Sequence, residues 1–119
     1  MEHLRIEELV EFSTEKRTKK KLFGSRKIVA GLLCFEPGQT TPIHHHPMQD
    51  EVFYVLEGSG TISIGDERAT EAPLEETTIQ PKSLIFVPAK ARFGITAANQ
   101  NRLVLLFFKS PALAGDALA

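Results

Sequence analysis

Short runs of β-forming residues, each closed by a turn signal, most constrain the fold of this 119-residue chain. The runs lie at residues 25–35, 51–56, 61–64, 84–87, 94–97 and 103–108, and Gly, Pro and Asn residues separate them. Valine, isoleucine, phenylalanine and tyrosine fit the pleated, half-buried surface of a strand. About eight to ten short strands with turns between them predict an all-β sandwich or closed barrel, because closure removes exposed sheet edges.

Length and composition predict one domain. A chain of this size with 42% hydrophobic residues can bury one core of its own. We expect an N-terminal extension over residues 1–24, a barrel over 25–108 and a C-terminal tail over 109–119. Within the extension, residues 6–11 predict a helical turn or two. Within the barrel, residues 67–80 have little periodicity and predict a surface excursion.

Charge and cysteine content limit the partners of the chain. A net charge of -1 and a pI near 6.4 lack the basic balance of a nucleic-acid binder, so we expect no nucleic-acid partner. The basic run at residues 16–21 is interpreted as a solvated loop or an edge strand guarded by lysines, in preference to the alternative of an anion-binding patch. A single cysteine, Cys34, excludes an intrachain disulfide and fits a reducing compartment. With acids near the start and no membrane-length apolar run, we expect a soluble cytoplasmic protein without a membrane partner.

Three consecutive histidines carry the main chemical signal. Alternate side chains of an extended strand share a face, so His44 and His46 point together while His45 points away. Glu51 can reach the two imidazoles from the next strand. Imidazole nitrogen and carboxylate oxygen suit Fe, Mn, Zn, Ni or Co, and two histidines plus one carboxylate leave coordination positions open. The sequence therefore predicts one divalent metal ion held by His44, His46 and Glu51.

The spacing around these residues resembles the first motif of the cupin family. Gly38 is followed by five residues, His44, one residue, His46, four residues, Glu51, six residues and Gly58. The resemblance covers residues 25–108 and implies a single-domain cupin jelly-roll β-barrel, often a homodimer, with a divalent metal inside the barrel. It also implies that His44, His46 and Glu51 are the metal ligands.

The second cupin motif is degenerate in this chain. Its proline is retained at Pro88, but Phe93 stands where the family has a histidine ligand. Because phenylalanine cannot ligate a metal, water or substrate fills the fourth position, Gln49 or Gln80 substitutes for the histidine, or the site holds the metal weakly. A further alternative is a barrel without metal that uses the same cavity for an organic ligand.

Strand alternation also predicts the wall of a small-molecule pocket. Phe53 and Val55 share a face with Glu51, and Phe93 and Ile95 are expected to face the same cavity. An apolar lining with a few polar groups is typical of such a pocket, although plain core packing explains these residues equally well. Arg92 precedes Phe93 near the expected barrel mouth, where it could attract a carboxylate or phosphate, or simply be solvated.

Two classes of function follow from this pattern. The first is a metalloenzyme of dioxygenase, isomerase or lyase type that acts on a small organic molecule at the open metal site. The second is a non-catalytic cupin that binds a small-molecule ligand as a sensory or regulatory module. A metal that only staples the barrel is a third possibility. Catalytic residues besides the ligands cannot be assigned from the sequence.

Overall fold

The structure, a computed structural model, describes residues 1–66 and 74–113. A 3-10 helix, Ile6–Glu8, precedes eight strands. The strands are β1 (Thr18–Gly24), β2 (Val29–Phe35), β3 (Asp50–Gly58), β4 (Gly60–Gly65), β5 (Glu75–Ile79), β6 (Leu84–Val87), β7 (Arg92–Ala97) and β8 (Leu103–Ser110). The predicted all-β class is confirmed. None of the helical structure in the described ranges is long and apolar enough to cross a membrane.

The strands form two antiparallel sheets. The larger sheet has the order β1-β2-β8-β3-β6, and the smaller has the order β5-β4-β7. Strand β8 pairs with β2 on one side and with β3 on the other. Because neighbouring antiparallel residues share a face, the inward side chains of these strands lie next to one another across the sheet.

The main core lies between the two sheets. Along β3, Glu51, Phe53 and Val55 are buried, whereas the alternate residues Val52 and Tyr54 are half-buried on the outer face. The buried hydrophobic cluster joins residues of both sheets: Leu33, Phe35, Phe53, Val55, Ile62, Ile79, Val87, Phe93, Ile95, Ala97, Leu103, Leu105 and Phe107. The inner face of the larger sheet therefore contributes to the main core, whereas the outer face of β3 stays half-buried.

The N-terminal segment covers part of the outer face of the larger sheet. Leu32, Cys34 and Val104 are buried there against Ile6, Leu9, Val10, Phe12, Leu22 and Leu56. Cys34 is a buried free thiol, as its apolar sequence context suggests. The first residues of the chain thus contribute to packing even though most of them are outside regular secondary structure.

Three segments differ from the sequence prediction. Residues 18–24, assigned to the extension, form β1 and pair with β2 along their length. The strand expected at the histidines is reduced to two isolated bridges, Thr40–Thr96 and His44–Phe93. Within the expected surface excursion, Glu75–Ile79 forms β5, while residues 67–73 lie outside the described part of the chain. The end of the barrel also extends slightly beyond residue 108, since β8 runs to Ser110.

The two glycines that bound the histidine motif have positive φ angles for different structural reasons. Gly38 has a φ of 78°, and a Cβ there would meet only Asn99 Oδ1 at 3.5 Å. Gly58 has a φ of 82°, and a Cβ there would overlap the backbone carbonyl of Arg102. Gly58 is therefore required both by conformation and by the close approach of β3 to β8.

We expect Gly58→Ala to destabilise the fold clearly more than Gly38→Ala. The Gly38 variant should lose about 1–2 kcal/mol, the cost of a left-handed L-residue. Backbone overlap at Gly58 should add about 1–3 kcal/mol to the same cost. Urea denaturation of both variants measures the difference. Equal free energies of unfolding would show that the chain relaxes around Arg102 without penalty.

Candidate metal centre and cavity

His44 is held by the backbone bridge to β7. Its N–H donates to Phe93 O at 2.9 Å, and Phe93 N–H donates back to His44 O at 2.8 Å. The His44 Nδ1 atom lies 2.8 Å from Pro42 O, so the carbonyl accepts a proton that Nδ1 carries. This tautomer leaves the lone pair on Nε2, the arrangement that orients many metal-binding histidines.

His46 and Glu51 lie next to His44 in the same cavity wall. The rings of His44 and His46 meet edge to face with centroids 5.0 Å apart. His46 Nε2 is 3.4 Å from Glu51 Oε1. Glu51 is 5% exposed, whereas His45 is on the surface. The structure therefore brings the three predicted ligands together and leaves His45 outside, although the segment is not a continuous strand.

Phe93 fills the space beside the two imidazoles. Its ring centroid is 4.4 Å from that of His44, 5.9 Å from that of His46 and 5.7 Å from that of Phe53. Phe93 is 2% exposed. An aromatic ring thus stands where the family pattern has a fourth ligand. The structure does not bring Gln80 here, because Gln80 is exposed, and Gln49 Nε2 donates to Pro111 O.

The three side chains are of the chemical types that bind divalent transition metals. Two imidazoles and a carboxylate face one cavity, and one imidazole has its tautomer set by a backbone carbonyl. The three side chains do not form a closed cage, because no group of three His, Cys, Asp or Glu side chains in the described ranges has ready metal-binding geometry. All three donors therefore do not point at one ion position in this structure.

The cavity around this site has a volume of about 260 Å³. Phe53, Phe93 and Ile95, which the sequence placed on the wall of a pocket, are among its lining residues. Val55 lies deeper and belongs to the barrel core without lining the cavity. Arg92 is also absent from the lining, because strand alternation turns it away from Phe93 and its Nε donates to Asp66 O at 3.3 Å.

Three basic side chains, together called the basic wall, line the same cavity as the histidines. Lys19 lies on β1, Arg17 directly precedes that strand, and Lys109 lies on β8. Lys109 is 4% exposed and pairs in register with Glu51. The Lys19 and Lys109 ammonium nitrogens lie 5.7 and 5.6 Å from the centroid of the Phe107 ring. The cavity lining therefore combines a His/Glu group, aromatic rings and three basic side chains.

The basic wall changes the ionisation of its own members. Burial lowers the pKa of Lys19, and the nearby charges of Lys109 and Arg17 lower it further, while Glu51 acts in the opposite direction. Burial also lowers the pKa of Arg17. The direction of both shifts indicates that positive charge is held in this cavity against a desolvation cost.

The sequence did not predict that the basic wall lies in the cavity. Residues 16–21 were interpreted as a solvated loop or an edge strand, with an anion-binding patch as the less favoured alternative. Solvation describes the exposed Lys21 but not Arg17 and Lys19. The available signal was the two-residue spacing of Arg17 and Lys19, which places both on one face of an extended segment. Lys16 and Lys20, at the alternate positions, concealed that alternation.

Curated relatives of the chain include plant auxin-binding proteins. Auxin-binding protein 1 from Arabidopsis thaliana is 44% identical over 95 residues, which are 77% of this chain and 47% of the relative. The chain spans half or less of the length of the curated relatives it matches. This similarity therefore concerns the domain and not the whole relative.

Solved structures share the fold. TT1209 from Thermus thermophilus superposes with a TM-score of 0.82 at 29% identity, covering 93% of this chain and 98% of that one. The DMSP lyase DddQ from Ruegeria pomeroyi superposes with a TM-score of 0.69 at 17% identity, covering 83% of this chain and 49% of that one. The second likeness shows the fold alone.

A family model for the cupin domain matches residues 31–109, about two thirds of the chain. The matched range includes the histidine motif, Glu51 and all strands from the middle of β2 to the end of β8. Together with the two-sheet architecture and the related structures, this match identifies the jelly roll that the motif spacing implied. The chain belongs to the cupin family.

Proposed function

We propose that this cupin binds one divalent metal ion through His44, His46 and Glu51 and acts on a small organic molecule bound beside it. The observation that carries the proposal is the meeting of two imidazoles and one carboxylate at a single cavity. A metal held there would supply Lewis acidity or a site for dioxygen. The aromatic residues around it would exclude water and position the organic molecule.

The reaction class stays open among oxygenase, isomerase and lyase chemistry. A proton-transfer reaction needs an ionisable group within reach of the substrate, and Lys19 lines the cavity close to the proposed ligands. Non-catalytic binding is the second candidate. It is favoured by the names of the curated relatives, which describe binding of auxin and not a reaction.

We also propose that two copies associate through the outer face of the larger sheet. Cross-strand pairing aligns Phe86, Val52 and Phe108 in one row. The next row contains Leu84, Tyr54 and Leu106. The two β6 residues of these rows are strongly exposed, Leu84 by 71% and Phe86 by 59%. A contiguous apolar patch on a sheet edge suits a symmetric contact with a second copy.

The buried Cys34 suits the reducing cytoplasm, which we propose as the location of the protein. Its thiol is packed among apolar residues and has no structural disulfide role in the described ranges. This proposal is independent of the metal site.

Metal content should depend on the three ligands and not on the exposed histidine. Protein purified without affinity-tag nickel should contain close to one divalent metal per chain, and His44→Ala or Glu51→Ala should abolish it. His45→Ala is the matched control and should keep the metal, because this side chain is exposed. Elemental analysis by plasma mass spectrometry measures all four proteins. Equal metal loss in the three variants would show a flexible histidine cluster.

Phe93→His should tighten metal binding, because it adds an imidazole next to His44 and His46. Phe93→Leu is the control that removes the aromatic ring without adding a donor. A competitive chelator titration should give a higher affinity for the histidine variant alone. Any turnover should fall in that variant at equal metal content, since the added ligand occupies a position that substrate would use. Unchanged affinity in a folded Phe93→His protein would argue against an open fourth position there.

The dimer proposal predicts that charges on the outer face separate the copies. The double variant Leu84→Lys/Phe86→Lys should be a monomer at micromolar concentration, because two buried cations would face their symmetry copies. Leu4→Lys adds one positive charge at an exposed apolar residue away from these two rows and should remain a dimer. Sedimentation equilibrium measures both. A monomeric unmodified chain, or a dimeric double variant, would contradict the proposal.

A further inference from the structure

Basic side chains outnumber carboxylates in the lining of the cavity. Arg17, Lys19 and Lys109 face the cavity, and Glu51 is the single carboxylate among the described residues that line it. Buried or half-buried like charges are costly unless an opposite charge accompanies them. Glu51 offsets one charge, and in the proposed function that carboxylate is committed to a divalent cation.

Part of the hydrogen-bonding capacity of Arg17 is directed to no protein partner. Its Nε is buried and makes no hydrogen bond in the described part of the chain. A buried donor without an acceptor is uncommon in folded proteins, and a guanidinium is well matched to the two oxygens of an acid group. Lys19 stands two residues away on the same side of the strand, so both can approach one oxyanion.

Most of the remaining lining of the cavity is apolar. Leu33, Phe53, Phe93, Ile95 and Phe107 line the cavity together with the basic wall and the histidines. Its volume of about 260 Å³ exceeds the roughly 150 Å³ of a cavity that accepts benzene. A molecule with a compact apolar body and one acid group therefore matches the lining in size and in polarity.

We propose that Arg17, Lys19 and Lys109 form an anion subsite that binds the acid group of a small organic acid whose apolar body lies against Phe93 and Phe107. This inference deepens the proposed function, since it names the ligand class of the same cavity. The subsite lies on strands β1 and β8 and does not use the histidines. The depressed pKa of Lys19 is consistent with it, because a bound anion would replace the missing counter-charge.

The test measures binding of three probes of similar shape by isothermal titration calorimetry to the full chain. Benzoate carries a carboxylate, phenyl phosphate carries a phosphate, and benzamide is the neutral counterpart. Either anion should bind at least about tenfold more tightly than benzamide, since charge-assisted hydrogen bonds are absent from the amide complex. The order of the two anions identifies which acid group the subsite prefers. Inorganic phosphate should bind more weakly than phenyl phosphate, because it lacks the apolar body.

Variants then locate the subsite. Arg17→Gln and Lys19→Gln should each weaken the preferred anion about tenfold or more and leave benzamide unchanged. Lys21→Gln removes the same charge from an exposed position of the same strand and should have no effect. Lys109 is buried and is the cross-strand neighbour of Glu51. The test therefore uses variants of Arg17 and Lys19 and does not require a Lys109 variant to fold.

Failure of this inference can be separated from failure of the metal proposal. His44→Ala should lose metal but keep the dependence of anion binding on Arg17. Benzamide binding as tightly as the anions, equal losses in the Lys21 control, or no binding of any anion near about 1 mM would overturn the subsite. None of these results would change the metal content of the unmodified protein.

Discussion

The pairing of β8 with both β2 and β3 is the constraint on which the rest of the structure depends. Its inward residues Leu103, Leu105 and Phe107 are fully buried and alternate with outward residues. The same alternation carries Lys109 into the cavity opposite Glu51. Because a shift of one residue would reverse both faces, the register of this strand fixes the core and the charged site together.

Alternation and turn signals predicted most of the fold. The strands with buried faces, such as β2, β3 and β8, were predicted because their apolar residues are numerous. Strand β5 was missed because four of its five residues are exposed on an edge, so it has no apolar periodicity. Strand β1 was expected only as one alternative, an edge strand within residues 16–21, because consecutive lysines mask a half-buried pattern. Edge strands depend on their neighbours for their existence, and the sequence does not show those neighbours.

The site was predictable where the residue types are distinctive and hidden where they are common. Two histidines and a glutamate at fixed spacing pointed to one location, and their side chains lie there together. Lysine and arginine occur mostly on surfaces, so the two-residue spacing of Arg17 and Lys19 was a weak signal until the structure placed both in the cavity lining. Arg92 was proposed for the pocket near its mouth. It directly precedes Phe93 on β7, however, and therefore points to the opposite side of the strand, where it donates to Asp66 O.

The site combines two groups of polar side chains in one partly aromatic cavity. His44, His46 and Glu51 suit a divalent cation, whereas the basic wall suits an anion, and Phe93 and Phe107 contribute aromatic rings to the same lining. Phe93 also removes the fourth protein donor of the family pattern. An open coordination position next to an apolar space is the arrangement through which a bound organic molecule and a metal can meet.

The most direct test of this account is a crystal structure of the cobalt-loaded protein with anomalous difference maps. We expect one strong peak within about 2.0–2.3 Å of His44 Nε2, His46 Nε2 and a Glu51 carboxylate oxygen. Phe93 should remain beside the ion with no protein donor in the fourth position. A peak on the surface at His45, or no peak in a cavity that is otherwise intact, would contradict the account.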